Sequence, residues 1–121
     1  MIPKPITYIS ASQIQLFMDC PRKWYSTYIL GMRQPATPAQ MLGTEIHTVA
    51  ELYLEHGIAP DLTTKAGQIF ERGMHLLPEP KVGEVELGFD QTIWGSPLPI
   101  KGFIDLIYED GDTTVILDHK T

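Results

Sequence analysis

The segment Glu109-Asp110-Gly111-Asp112 separates two runs rich in Ile, Val, Leu, Phe and Tyr. Asp-Gly flanked in this way is the strongest short-range signal for a β-hairpin. With Asp110-Gly111 as a two-residue loop, Glu109 faces Asp112, and counting outward pairs Phe103 with Asp118 and Asp105 with Ile116. Paired residues share a face of the sheet, as do alternate residues of one strand. Asp105, Asp118 and Lys120 therefore project to the same side, with the two carboxylates as diagonal neighbours roughly 7–8 Å apart at the backbone. A slip of one residue would put them on opposite faces.

Two carboxylates so close repel each other, and a hard divalent cation relieves that conflict. Mg²⁺ or Mn²⁺ held by few protein ligands keeps several waters, can polarise a phosphate oxygen and lowers the pKa of a bound water. Lys120 is then placed to stabilise charge developing on a phosphoryl group. Asp-x-Lys alone is a short pattern, and taken by itself a solvated hairpin face is the better explanation of it. Its pairing with Asp105, together with the upstream segments, favours the chemical role.

The upstream half reads as helical. Ser10-Ala11-Ser12-Gln13 fits a capping box, with Ile9 and Ile14 at the positions of a hydrophobic staple. The helix that starts there carries Ile14, Phe17 and Met18 on one side, and Cys20-Pro21 interrupts it. Pro21 to Leu30 forms a second helical piece with Trp24, Tyr25 and Tyr28, and Gly31 stops it. Residues 34–40, with two prolines, read as a loop. Met41 to Gly57 is helical, with Ile46, Val49, Ala50 and Leu54 as its apolar stripe. His47 and Glu51, four apart, share a helix face; they are either a metal-facing pair or an ordinary surface pair. Asp61 is expected to cap a further helix through Ala66, Ile69, Phe70 and Met74. Val82 to Phe89 alternates as a strand, with Glu84 and Glu86 on one face, read as a solvent-facing edge that could also join the acidic site.

Four motifs stand in order: Ser10-x-Ser12-x-x-x-x-Phe17-x-x-Cys20-Pro21-Arg22-Lys23-Trp24-Tyr25, Gly43-Thr44-x-x-His47-x-x-x-Glu51, Gly102-x-x-Asp105-Leu106 and Asp118-x-Lys120-Thr121. Together they resemble the RecB-like branch of the PD-(D/E)XK nuclease superfamily, which includes nuclease domains of bacterial helicase-nucleases, CRISPR-associated exonucleases and many phage enzymes. The resemblance implies that His47, Asp105 and Asp118 are metal ligands, that the main-chain carbonyl of His119 is another, and that Asp105, Asp118 and Lys120 carry catalysis. It implies Mg²⁺- or Mn²⁺-dependent cleavage of DNA by a metal-activated water, often processive from an end, in DNA repair or phage biology.

The family core continues past the Asp-x-Lys strand into a helix, commonly with a Gln-x-x-x-Tyr motif, and a further strand; neither follows here. The chain is therefore expected to be an N-terminal portion of such a nuclease or a reduced form of it. Some members hold a [4Fe–4S] cluster through the cysteine of the Cys-Pro-Arg segment and three later cysteines. Cys20 is the single cysteine of this chain, which alone supplies one of the four thiolates a cluster needs, so it reads as a small buried hydrophobe or at most an accessory residue.

The net charge of −6 looks unfavourable for a DNA-binding protein. It is unevenly distributed: residues 1–40 carry Lys4, Arg22, Lys23 and Arg33 against Asp19, whereas residues 41–121 carry five Lys and Arg against fourteen acids. Arg22 and Lys23 beside Trp24 and Tyr25 could contact phosphate and stack on an unpaired base. The alternative is that the two aromatic residues are core and the cations a solvated face. No apolar run of about 18 residues is present, no signal peptide is visible, and a lone cysteine fits a reducing cytoplasm, in the resemblance that of a bacterial or phage-infected cell.

The expectation is an α/β, restriction-endonuclease-like domain over residues 1–121: a basic helical arm (1–40), helices (41–77), and a short, mainly antiparallel three-stranded sheet with the metal site (82–121), the C-terminal part of the core being absent. DNA is the expected partner, with a helicase subunit, a continuing C-terminal segment or a second copy of the chain as further ones, and no membrane. The alternative function is a catalytically incomplete module that grips nucleic acid or completes its sheet with another chain.

Overall fold

The computed structural model describes residues 2–120; Thr121, the last residue of the terminal motif, lies outside them. It is an α/β protein with helices α1 (Ala11–Asp19), α2 (Pro21–Trp24), α3 (Pro38–His56) and α4 (Lys65–Gly73). Strands β1 (Gly83–Gln91), β2 (Ile100–Asp110) and β3 (Thr113–Leu117) form one sheet in the order β1-β2-β3. The chain divides into two compact units: the segment up to Pro35 with Gly88–Phe103, and Ala36–Leu87 with the chain from Ile104 onward.

In the first unit, Ser10 caps α1 by accepting the Gln13 amide at 3.2 Å. Only half of the expected capping box forms. The Gln13 side chain turns inward, 3 % exposed, where its amide nitrogen donates to the Tyr8 carbonyl at 3.1 Å and its oxygen accepts from the Trp24 indole at 3.4 Å. A buried amide needs such partners, and bonding two segments rewards it more than closing a local box. Cys20 is extended, which ends α1 and places Pro21 in the first turn of α2. Cys20 is exposed, not buried as expected, because the break between the helices leaves it outside both packed faces. α2 runs on as a π-helical turn, Tyr25–Ile29, before left-handed Gly31. Trp24 packs edge-on against Phe17 (centroids 5.4 Å) and beside Tyr28 (6.5 Å). Ile9 forms a parallel bridge to Ile100, its amide donating to the Pro99 carbonyl and its carbonyl accepting from Lys101, both at 2.9 Å.

The second unit holds the larger core. Ile46, Ala50 and Leu54 of α3, spaced four apart, are buried together with Ala66 and Phe70 of α4 and Leu106 of β2. Tyr53 meets Phe70 with ring centroids 5.6 Å apart. α3 starts at Pro38, within the loop expected at residues 34–40: Thr37 and Gln40 form a full capping box around Pro38 at the first helical position, where proline costs no hydrogen bond. Its end at left-handed Gly57 is as expected. α4 is capped by Thr64, not Asp61. The Asp61 carboxylate is instead taken up by the amide and hydroxyl of Thr63, at 2.9 and 2.6 Å, in a turn of its own. That turn lies so close over α4 that a Cβ on Gly67 would collide with the Asp61 carbonyl oxygen and reach Thr64 Oγ1 at 3.0 Å.

β2 and β3 pair antiparallel from Leu106↔Leu117 to Asp110↔Thr113, so the hairpin loop is Gly111-Asp112, with Gly111 left-handed at φ 60°, rather than Asp110-Gly111. Glycine tolerates that conformation at no steric cost, which draws the turn one residue along. The partner of each β2 residue thereby moves by two positions from the expected register. A shift of two preserves faces.

Gly67→Ala should lower stability by about 1–3 kcal/mol through overpacking against a backbone atom, read as a lower urea midpoint at unchanged slope. Trp24→Ala should cost roughly 2–3 kcal/mol by the same measurement, whereas Arg22→Ala and Lys23→Ala, both exposed, should stay within about 0.5 kcal/mol of wild type.

Candidate metal centre

One step beyond the last ladder pair, Asp105 lies opposite Asp118. The expected diagonal is thus a direct facing, and the carboxylates approach closely enough to interact. The ladder stops at Leu117 because the next amide in line, that of His119, donates to Asp105 Oδ2 at 2.7 Å instead of to a strand carbonyl. This charge-assisted bond orients the Asp105 carboxylate and fixes the start of the terminal segment. Lys120 Nζ then reaches Asp118 Oδ2 at 2.8 Å. The Lys120 ammonium holds the Asp118 carboxyl below the usual carboxylate range, and the same hydrogen bond raises the lysine above its own. Both side chains are largely exposed, so solvent screening leaves the pair little weight in folding.

α3 supplies the opposing wall. His47 is half-buried beside the buried stripe, and its ring meets that of His119 edge-on with centroids 5.6 Å apart. The His119 imidazole therefore belongs to the centre, where the resemblance assigned only its carbonyl; burial pushes it below the ordinary histidine value. Glu51, one turn after His47, is half-buried on the same side. Towards the start of α3, Gln40, Gly43 and Thr44 line a shallow groove that ends at His47.

Glu86 takes the second of the two places the sequence left open to it, beside the acidic site. It was grouped with Glu84 on a solvent-facing edge; Glu84 is indeed exposed, but Glu86 turns into the centre. Its backbone is left-handed, φ 52°, inside β1, and residues 85–87 are all half-buried where a regular strand would alternate. A non-glycine residue held so costs roughly 1–3 kcal/mol, and no local pattern announces it. Burial, followed by the charges of Glu51 and Asp105, pushes the Glu86 carboxyl above its ordinary value, with His47 acting the other way.

One ligand atom each from His47, Glu86 and Asp105 lie within 4.8 Å of one another. Ligands of one octahedral Mg²⁺ stand about 2.9 Å apart when adjacent and about 4.2 Å apart when opposite, so side-chain shifts of up to about 2 Å would close the three on a cation. Among the described residues, no lysine or arginine forms an ion pair with Glu51, Glu86 or Asp105. The donor set, one imidazole and hard oxygens, fits a divalent metal, and the charge surplus asks for one.

The expected nucleic-acid contacts lie in the first unit. Arg22, Lys23 and Tyr25 are exposed, while Trp24 has Phe17 and Tyr28 against it and its indole N–H bonded to Gln13, the packed alternative of the two. A groove there is lined by Cys20, Arg22, Lys23, Ser26, Met32 and Arg33, with no carboxylate among its lining. Arg33, which sequence reasoning left unassigned, also lies over the Tyr28 ring at 5.2 Å. Its place just after the Gly31 turn was the available signal.

No curated protein and no solved structure matches the chain. A family model does: residues 8–80 match the PD-(D/E)XK nuclease superfamily, a span that covers α1 to α4 and His47 and stops before the sheet. The Asp105–Asp118–Lys120 arrangement on β2 and the segment after β3 lies outside the matched span. The α/β architecture agrees with a restriction-endonuclease-like fold, and the chain belongs to the PD-(D/E)XK nuclease superfamily.

Proposed function

We propose that this chain is a metal-dependent deoxyribonuclease of the RecB-like branch, acting as an exonuclease, with Asp105, Asp118 and Lys120 as its catalytic residues. The observation that carries this is the convergence of Asp105, Asp118 and Lys120 with the α3 histidine on the fold of a nuclease superfamily. A divalent cation, when bound, supplies Lewis-acid polarisation of the phosphate and a water of lowered pKa. His47, Asp105 and Asp118 would hold it, with the carbonyl of His119 as a further donor. The His119 amide keeps Asp105 aimed; Asp118 keeps Lys120 charged and close. Lys120, largely exposed, would exchange Asp118 for an arriving phosphate and donate to the oxygen on which negative charge grows.

Substrate binding falls to exposed groups outside the acidic centre. Arg22, Lys23 and Arg33 offer point charges and forks for backbone phosphates, and Tyr25 offers a stacking face. This supports DNA as the substrate despite the net charge, since binding follows the local field rather than the total. The residues 1–40, 41–77 and 82–121 act in this proposal as one nuclease domain, working in the cytoplasm of a bacterial or phage-infected cell. DNA-repair processing beside a helicase subunit, or phage DNA metabolism, is the corresponding setting.

The test is incubation with linear and circular, single- and double-stranded DNA in MgCl₂, MnCl₂ or EDTA. Metal-dependent loss of linear DNA is expected, and Asp105→Ala, Asp118→Ala and Lys120→Ala should each reduce it at least 100-fold, with Lys120→Ala leaving the thermal midpoint nearly unchanged. Equal degradation by wild type and all three variants would remove the catalytic assignment. A mobility shift without product would favour the binding-module alternative, for which the exposed Ile116 on the edge strand β3 offers a docking edge.

A further inference from the structure

We propose that Glu86 is a metal ligand alongside His47 and Asp105, and that the left-handed turn of β1 at this residue exists to aim its carboxylate at the cation. The inference rests on the reading of the centre as a metal site and adds a residue outside the four motifs of the sequence. Three observations carry it. A ligand atom of Glu86 lies within 4.8 Å of ligand atoms on both His47 and Asp105. Its backbone adopts φ 52° in mid-strand, a conformation that an ordinary solvent-facing glutamate has no reason to hold. The half-buried run 85–87 shows that the strand has abandoned alternation there, so Glu86 parts from exposed Glu84, with which a regular strand would group it.

A left-handed residue within a strand inserts a local kink that re-aims one side chain without disturbing its neighbours' pairing further along. Glycine would occupy that conformation at no steric cost, and glutamate is present instead. Strain retained at one residue among mutually repelling carboxylates is the pattern of a site whose partner group compensates it. With Glu86 added to His47, Asp105 and Asp118, the side-chain ligand set is one imidazole nitrogen and three carboxylates, which still leaves room for water or phosphate and suits Mn²⁺ as well as Mg²⁺.

The experiment measures Mn²⁺ binding to the full chain by titration calorimetry, and the thermal midpoint in EDTA and in MnCl₂, for wild type, Glu86→Gln, Glu86→Gly, Asp105→Ala and the surface control Glu84→Gln. Both Glu86 variants are expected to bind Mn²⁺ at least 10-fold more weakly and to lose most of the Mn²⁺-induced rise in midpoint, with Glu84→Gln matching wild type. In EDTA, Glu86→Gly should melt no lower than wild type, because glycine relaxes the turn; this variant keeps the test decisive if Glu86→Gln folds poorly. Mn²⁺ affinity within two-fold of wild type in the Glu86 variants, with binding lost in Asp105→Ala, overturns the role of Glu86 and leaves the centre standing. No Mn²⁺ binding by wild type, or unchanged binding in Asp105→Ala, overturns both.

Discussion

The hydrogen bond from the His119 amide to Asp105 Oδ2 is the constraint on which the centre depends. A strand amide must find an acceptor. Here the acceptor is a carboxylate on the neighbouring strand, so the β3 ladder ends and the chain beyond it is held by a side chain rather than by another backbone. The two residues flanking that amide inherit their directions from it. Asp118 stays beside Asp105, and Lys120 is returned to Asp118. The same anchor brings the His119 ring against His47 of α3, so one 2.7 Å contact organises groups that lie far apart in sequence.

Charge explains why such a centre suits phosphodiester chemistry only when loaded. Among the described residues, Glu51, Glu86, Asp105 and Asp118 form an acidic surface with one lysine, Lys120, inside it, and that surface repels a phosphate. A divalent cation offsets most of that charge, so under the proposed function metal loading eases substrate approach as well as supplying the chemistry. The basic groove of Arg22, Lys23 and Arg33 keeps its sign regardless of metal. Under the proposed function, retention of a polyanion and the reaction upon it fall to different residues with different dependences.

Much of this was legible in the sequence for reasons that are local. Asp-Gly between apolar runs gives a hairpin, and because strand faces have period two, the two-position error in pairing still left Asp105, Asp118 and Lys120 on one side. The α3 stripe and the stop at Gly57 followed from helical spacing and left-handed tolerance. Errors arose where two local signals competed. Pro38 looked like loop but stands at the one helical position that suits it, and Asp61 looked like a cap but was claimed first by Thr63. Glu86 was legible only as the less favoured of two readings and could not be told from Glu84, because a left-handed glutamate contradicts the preferences by which strands are read. Trp24 was undecided in sequence, since indoles serve packing and stacking alike; the Gln13 acceptor and the Phe17 and Tyr28 rings decide its place.

Cys20 sits exposed at the joint between α1 and α2, on the rim of the basic groove, and it is the chain's single thiol. That combination makes it a unique attachment point for a thiol-directed fluorophore. A dye there would report occupancy of the groove by a polyanion while every carboxylate and imidazole of the acidic centre remained untouched.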